Sequence, residues 1–322
     1  MAHSTRSRGP AGTPARVAGA TAIGSSYTSE AGYAAMMRWY AARLADLRVP
    51  YESITVPTRY GDTHLLAAGP HDAPAVILLH GMEGTALGWK PQITALHTAF
   101  RVYAPDIIGS CGKSAPVRLS HENAGYGEWL EDVMTGLEVR RASFAGVSSG
   151  SWMVIKFATH APERVEKVVL MSACGLVPMR FPFTLARAFE NDAVRGVVEG
   201  LAGLLLTRGM MRRAISLFVL PRGIEPSPEI VEWFYLLTKY YRYRYPPGPV
   251  SDAELRMLRA PTLVLMGEHE SVFDIHAAMA RARALLPDLR AAEIIPGVGH
   301  NMAADNPDLI NARLMRFLRH TC

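Results

Sequence analysis

A chain of 322 residues, 49% of them hydrophobic, can bury a core the size of one large α/β domain or of a domain with an insertion. Its net charge of +5 includes Arg6, Arg8 and Arg16, which precede the first acidic residue, Glu30; removing these three leaves only +2, and no nucleic-acid partner is implied. Cys111, Cys174 and Cys322 are odd in number and far apart, with no C-x-x-C pair, which argues against a disulfide framework or a zinc site and makes a reducing compartment the default.

Residues 1–26 are rich in Ser, Arg, Gly and Ala, and their most apolar part, Ala15 to Gly24, is interrupted by Gly and Thr. This reads as a disordered basic tail and not as a signal sequence. No later segment approaches the roughly 18 apolar residues of a membrane span, so a cytoplasmic protein without a membrane partner is expected. Ser29 can cap a helix in which Tyr33, Met36, Met37, Tyr40, Ala41 and Leu44 recur at three-to-four spacing. Glu52–Pro57 and Thr63–Ala68 flank Tyr60-Gly61-Asp62 as a hairpin would. Ala75–Leu79 is an unbroken apolar run, the mark of a strand covered on both faces, and it ends at His80-Gly81.

A helical pattern over Trp89–His97 leads to a buried strand, Arg101–Ala104, that ends at Asp106, and a helix over Gly127–Leu137 follows. Next come the strand Ala142–Val147, a helix from Ser149 to Ala161 and the strand Val165–Met171. The same beat resumes only at Pro261–Met266, with a helix near Ile275–Leu286, a strand at Ala291–Ile295 and a last helix from Pro307 to Arg319. Such alternation builds a parallel sheet with right-handed crossovers. Residues 176–258 differ: they hold helical patterns, Ala193–Leu206 and Glu229–Tyr241, and no convincing strand. The expected organisation is a core of residues 27–175 and 259–322 with residues 176–258 as a helical cap over the carboxyl edge of the sheet, where ligands bind. Phe181, Phe183, Phe189, Leu204, Leu205, Met210, Met211, Phe218, Trp233, Phe234 and Leu237 exceed what short cap helices can bury, so part of them is expected to line an apolar acyl pocket.

The chemistry gathers at the corner between Val147 and Ser149. A strand turns sharply into a helix only where the residues two before and two after the corner lack bulk, and Gly146 and Gly150 flank Ser148 in this way. Ser149, flanked by Val147 and Ser151, cannot be the corner. A serine nucleophile needs a base and an acid to orient it, in the chain order Ser, acid, His. His300 alone among the downstream histidines follows a strand directly, in the turn Pro296-Gly-Val-Gly-His300. In Gly267-Glu-His-Glu270 the third residue after the glycine, Glu270, is the acid; Glu268 lies too close to the strand, and Asp274 suits a helix start. The oxyanion donors are the Ser149 and Met82 N–H groups, with His80 and Gly81 as supports of the loop. Gly109–Ser114 is no phosphate loop, because Ile107 stands where a glycine is required. Glu268, His269, Glu270, Asp274 and His276 have no metalloenzyme spacing, so neither metal nor cofactor is expected.

With the elbow, His80-Gly81, the Asp106–Ser114 turn, Gly267-x-x-Glu270 and Gly299-His300 in this order, the chain resembles the α/β-hydrolase superfamily over about residues 50–320. More narrowly it is similar to bacterial carboxylesterases of the naproxen-esterase type, through Val49-Pro-Tyr-Glu52, Val56-Pro-Thr-Arg59, Thr63-His64, Tyr103–Gly109 and Gly112-Lys-Ser114. It departs from them at Ser110-Cys111, where an acidic residue is frequent, and at Ser151, where many continue with glycine. The resemblance implies a mostly parallel eight-stranded sheet with helices on both faces and a cap after the sixth strand. It implies hydrolysis of a small carboxylic ester through an acyl-enzyme, without cofactor. Dehalogenase and epoxide-hydrolase relatives carry Asp where this chain has Ser148. C–C bond hydrolase, thioesterase, cofactor-free haloperoxidase and non-catalytic receptor remain alternatives on the same fold.

Overall fold

The computed structural model describes residues 26–180, 205–218, 224–243 and 245–319, with isolated positions at 194, 196–197, 200–201 and 220. Residues 1–25 of the expected tail, half of the expected helix 193–206, and Phe181, Phe183, Phe189 and Leu204 lie outside the described residues. Ser26, assigned to the tail, is fully buried instead, and its carbonyl accepts the Arg242 N–H at 2.9 Å.

Eight strands form one sheet in the order β1-β2-β4-β3-β5-β6-β7-β8. β1 (Glu52–Thr58) and β2 (Gly61–Ala68) make an antiparallel hairpin whose closing pair is Thr58 and Gly61, and Gly61 takes the positive φ of 116° that this tight turn demands. β2 pairs antiparallel with β4 (Arg101–Pro105). β3 (Ala75–Leu79), β4, β5 (Ala142–Val147), β6 (Val165–Met171), β7 (Thr262–Gly267) and β8 (Leu289–Ile295) are all parallel.

The period-two alternation of a strand explains why the central runs are apolar throughout. In β3, Ile77 and Leu79 point into one hydrophobic cluster while Val76 and Leu78 point into the other. β7 divides in the same way, with Val264 and Met266 on one side and Leu263 and Leu265 on the other. The first cluster is closed by α3 (Gly125–Gly136), α4 (Ser149–His160) and α8 (Ile275–Leu285), through Trp129, Phe157 and Met279 among others. The second is closed by α1 (Glu30–Leu44), α2 (Lys90–Leu96) and α10 (Pro307–Arg319), through Tyr40, Ile93 and Leu314. Each such side chain, once buried, contributes about 1.5–3 kcal/mol.

Local chemistry sets the helix ends. Ser29 accepts from Gly32 N at 3.1 Å, and Asp274 caps α8 by accepting from Ala277 N at 3.0 Å. The pattern over Trp89–His97 divides into a 3₁₀ turn, Ala86–Trp89, capped by Thr85, and the helix α2. β8 begins two residues before the expected Ala291 because it is an edge strand with only Ile295 buried, so its apolar signal is weak.

Between β6 and β7 the described residues hold α5 (Arg208–Phe218), α6 (Pro228–Tyr240) and α7 (Asp252–Met257), with isolated bridges and no strand. α5 and α6 share a small apolar cluster of Met211, Ile215 and Val231. α6 also packs on α1 and the segment before it, through Leu236, Leu237, Met36, Tyr27 and Tyr241. The short α9 (Met302–Asp305) lies between β8 and α10. No helix among the described residues is long and apolar enough to cross a membrane.

Candidate active site

The corner after β5 is as tight as its two glycines imply. A Cβ on Gly146 would lie 2.5 Å from the Gly150 backbone, and one on Gly150 would lie 2.1 Å from the Leu79 carbonyl oxygen. Between them Ser148 takes φ 53° and ψ −120°, a strained conformation for a residue with a side chain, and its hydroxyl stands half-buried at the end of the strand. The strain is held from outside the corner. Ser148 N–H donates to the Met171 carbonyl at 2.9 Å, and the Ser148 carbonyl accepts from Ser151 N at 3.0 Å and Cys174 N at 3.2 Å. Ser151, one of the departures from the carboxylesterase pattern, is fully buried; its hydroxyl donates to the Gly146 carbonyl at 2.7 Å and accepts from Met171 N at 3.2 Å.

At the ends of β7 and β8 the two loops cross so closely that a Cβ on Gly267 would lie 2.5 Å from the carbonyl oxygens of Val298 and Gly299. His269 N–H donates to the Val298 carbonyl at 2.9 Å, which fixes the loops to each other. The crossing brings His300 Nδ1 to 2.9 and 2.8 Å from the two oxygens of Glu270. The Glu270 carboxylate is wholly buried and also accepts from Val272 N at 2.7 Å. Burial pushes its pKa up, but the adjacent His300, the nearby Ser172 hydroxyl and the Val272 N–H outweigh it, so the carboxyl titrates below its ordinary value. Ser172 Oγ is itself buried without a hydrogen bond of ordinary geometry. A neutral His300 that donates from Nδ1 to this carboxylate has Nε2 as its acceptor nitrogen.

The other acids near this crossing are engaged elsewhere. Asp274 is exposed, caps α8 and pairs with Arg180 at 3.1 Å. Glu268 accepts from Gly297 N at 2.9 Å. Asp305 accepts from Gly299 N at 2.8 Å, and burial raises its pKa.

The loop after β3 passes directly over the corner, and a Cβ on Gly81 would meet Ser148 Cβ at 3.3 Å. His80 braces it: Nδ1–H donates to the Gly81 carbonyl at 2.8 Å, and Nε2 accepts from Ile107 N at 3.0 Å. Both ring nitrogens are thus occupied, and burial lowers the His80 pKa, so the ring stays neutral. Gly84 N–H closes a turn onto the Gly81 carbonyl at 3.0 Å, with Met82 and Glu83 at its centre. Asp106 supports the neighbouring turn by accepting from Ala86 N and Lys113 N, and a Cβ on Gly112 would lie 2.3 Å from its carboxyl carbon.

Met82 and Ser149 line a cleft of about 60 Å³. Its walls include Ile107, Ile108 and Met153 from the core and Pro246 and Pro247 from the stretch before α7. Arg118 reaches the same cleft with its guanidinium 5.1 Å from the centre of the Tyr241 ring, and Glu83 and His121 line it as well. Arg118, Ser172 and Asp305 carry no local motif that would mark them in the sequence; Trp233, expected only as one of the surplus apolar side chains of the cap, donates its indole N–H to the Glu83 carbonyl at 3.2 Å.

The structure therefore joins His300 to Glu270 and seats Gly81 on the Ser148 corner. Among the described residues no hydrogen bond links Ser148 Oγ to His300; catalytic contacts commonly tighten only when substrate binds. No group of three or more His, Cys, Asp or Glu side chains among the described residues could hold a metal ion.

Comparison with known proteins bears on the fold family. A family model described as the alpha/beta hydrolase fold matches residues 74–307. The chain is 33% identical over 271 residues to carboxylesterase YbfK of Bacillus subtilis, covering 83% of this chain and 88% of that protein. The crystal structure of carboxylesterase CesB (YbfK) from Bacillus subtilis is similar with a TM-score of 0.78 at 28% identity, covering 91% of this chain and 100% of that one. That of naproxen esterase (carboxylesterase NP) from the same organism is similar with a TM-score of 0.71 at 30% identity, covering 88% and 97%. With sheet order, nucleophile corner, family model and relatives in agreement, the chain belongs to the α/β-hydrolase fold family.

Proposed function

We propose that this protein is a serine carboxylesterase that cleaves small carboxylic esters through an acyl-enzyme, with Ser148 as nucleophile, His300 as base and Glu270 as the acid that orients it. The observation that carries the reading is the buried Glu270–His300 pair at the carboxyl edge of the sheet, its members following the second and third strands beyond the one that ends at the strained Ser148. His300 Nε2 takes the Ser148 proton as Oγ attacks the ester carbonyl. The buried Glu270 charge stabilises the imidazolium that forms, and His300 then returns the proton to the departing alkoxide. A water activated by the same nitrogen releases the acid. The N–H groups of Met82 and Ser149 receive the developing oxyanion, each contributing about 3 kcal/mol to the lowering of the barrier. His80 and Gly81 keep the first of these donors over the corner, and Gly146 and Gly150 allow the second. The names of the relatives, carboxylesterase and naproxen esterase, favour an ester over the other substrates this triad can serve.

Residues 176–258 form the cap in this reading, and the apolar part of the cleft wall, including Met153, Pro246 and Pro247, receives the acyl group. The test is hydrolysis of p-nitrophenyl butyrate by the wild type together with mass-spectrometric mapping of a fluorophosphonate adduct. The adduct is expected on Ser148 and is expected to be lost in Ser148→Ala. Labelling elsewhere, or turnover retained by the variant, would overturn the assignment.

A further inference from the structure

The loop that carries the Met82 N–H depends on the segment between β6 and β7. Glu83, at the centre of the Gly81–Gly84 turn, has φ 57°, a left-handed conformation that favours glycine and that a glutamate adopts only when held there. Its carbonyl accepts two donors from distant parts of the chain: Trp233 Nε1–H of α6 at 3.2 Å and the buried Cys111 thiol at 3.0 Å. If this carbonyl were released, Glu83 could relax toward negative φ. The Met82–Glu83 peptide would turn with it and, through Met82 Cα, pull the Gly81–Met82 peptide that carries the Met82 N–H, leaving that donor held over Ser148 only through the Gly81 carbonyl.

The indole itself has little freedom. Trp39 of α1 lies against it, with ring centres 4.3 Å apart and the planes tilted by 30°. One end of α6 is held by Glu229, 3.5 Å from Lys90 and 3.8 Å from Arg43. At the other end the Tyr240 carbonyl accepts Thr28 N–H at 2.9 Å, and Arg242 N–H donates to Ser26 at 2.9 Å. α6 is therefore fixed against the core at both ends, and Trp233 gives it a hydrogen bond to the loop beside Ser148.

We infer that Trp233 is a positioning residue for the oxyanion donors: its indole N–H holds the Glu83 carbonyl and thereby keeps Met82 N–H aimed at the reacting carbonyl, so that the seating of α6 sets the rate of the chemical step. This rests on the esterase reading, in which Met82 is an oxyanion donor. The decisive variant is Trp233→Phe, which keeps an aromatic ring for Trp39 and removes only the donor.

For p-nitrophenyl butyrate, kcat is expected to fall about tenfold, less than the loss of an oxyanion donor itself, with KM unchanged within about twofold. Inhibition by an alkyl trifluoromethyl ketone, whose Ser148 adduct places an oxyanion in the same site, should weaken by the same factor. A role in packing alone would lower the melting temperature and leave kcat and the ketone affinity together at wild-type values, and that result overturns the inference. If Trp233→Phe does not fold, Cys111→Ala removes the second donor to the same carbonyl, and the same pair of readouts decides: a matched fall supports the inference, and no fall refutes it. A wild type that forms no Ser148-dependent adduct with the ketone defeats the esterase reading and the inference with it. Adduct formation that is equal in wild type and Trp233→Phe defeats the inference alone.

Discussion

Replacing Glu270 by Gln removes a charge while nearly preserving a shape. The wild-type carboxylate is wholly buried and lies 2.8 Å from His300 Nδ1, so when His300 takes the serine proton the two charge centres are about 4 Å apart. At the effective dielectric of about 20 that suits such sites, this separation is worth about 4 kcal/mol of transition-state stabilisation, or roughly 10³ in rate. The amide retains part of the hydrogen bonding to Nδ1 and Val272 N, so kcat for p-nitrophenyl butyrate should fall about 10²–10³-fold with little change in KM. The variant must be compared at equal concentrations of fluorophosphonate-titrated sites, so that unfolded protein is not counted. A Glu270→Gln enzyme within about threefold of wild type would refute the assignment of the acid.

The same substitution has a signature in stability. The Glu270 pKa lies below the ordinary value of 4.5 in the folded protein, so its ionised form favours the native state at all pH above that value, and this contribution is lost as pH falls through the lower folded value. The difference in melting temperature between wild type and Glu270→Gln should therefore be constant at neutral pH and narrow only below about pH 4.5. A difference that narrowed as pH rose would reverse the sign and contradict a depressed carboxylate.

Ser148→Ala should reduce ester turnover by about 10⁶ with an unchanged melting temperature, and His300→Ala should be comparably severe by the same assay. Asp274→Asn keeps a good helix cap on an exposed residue, so kcat should stay within about twofold of wild type; a loss larger than that of Glu270→Gln would make Asp274 the acid. Incubation with EDTA should leave kcat/KM unchanged, and activity lost on chelation and restored by a divalent ion would contradict a triad mechanism. Ser151→Ala leaves the buried Gly146 carbonyl without its side-chain donor, so stability should fall by about 1–3 kcal/mol by denaturant titration, and no fall would show that water replaces the hydroxyl. Across p-nitrophenyl esters from acetate to decanoate, kcat/KM should rise by up to about fourfold per added CH₂ until the apolar cleft is full; a flat or falling series would refute an apolar acyl pocket.

The fold was legible wherever burial is complete. β3, β5, β7 and the Val168–Met171 part of β6 are covered on both faces, so their residues are apolar or small and the runs are visible without alignment; near its start β6 holds the exposed Glu166 and also Lys167, whose ammonium is buried on the Phe317 and Leu318 carbonyls. The corner at Ser148 was legible for a steric reason, since a Cβ at either flanking glycine would lie only 2.1 or 2.5 Å from neighbouring backbone atoms. His300 and Glu270 followed from their places after the last two strands, where the loops cross. Where the constraint is one-sided or remote, the signal faded. β8 is an edge strand with Arg290 and Glu293 in its middle, so its start was misplaced. Trp233 meets Glu83 across 150 residues, and Ser172 meets Glu270 across about a hundred; no window of local pattern contains either pair. Ser151, which departs from the family pattern at the corner, proves to be a hydrogen-bonding element of that corner.

Three histidines of this chain show why a triad cannot be identified from residue types alone. His64 lies between Asp106, 2.8 Å from Nδ1, and Ser53, 2.8 Å from Nε2, which is the Ser-His-Asp connectivity of a hydrolase. Yet His64 is 5% exposed, Ser53 sits in the regular extended strand β1, and no helix begins at Ser53 to turn backbone N–H groups toward an oxyanion. The Asp106 carboxylate is also committed to Ala86 N and Lys113 N, so the array ties β1 and β2 to the turn after β4. His80 is nearer the nucleophile, but both of its nitrogens are occupied by backbone groups, and burial disfavours its charged form. Of the three, only His300 has a buried carboxylate on Nδ1 and, among the described residues, no hydrogen-bond partner on Nε2, the arrangement that the proposed proton transfer to and from a serine requires. The residue type supplies a proton carrier; which nitrogen is occupied, and by what, decides whether that carrier can act.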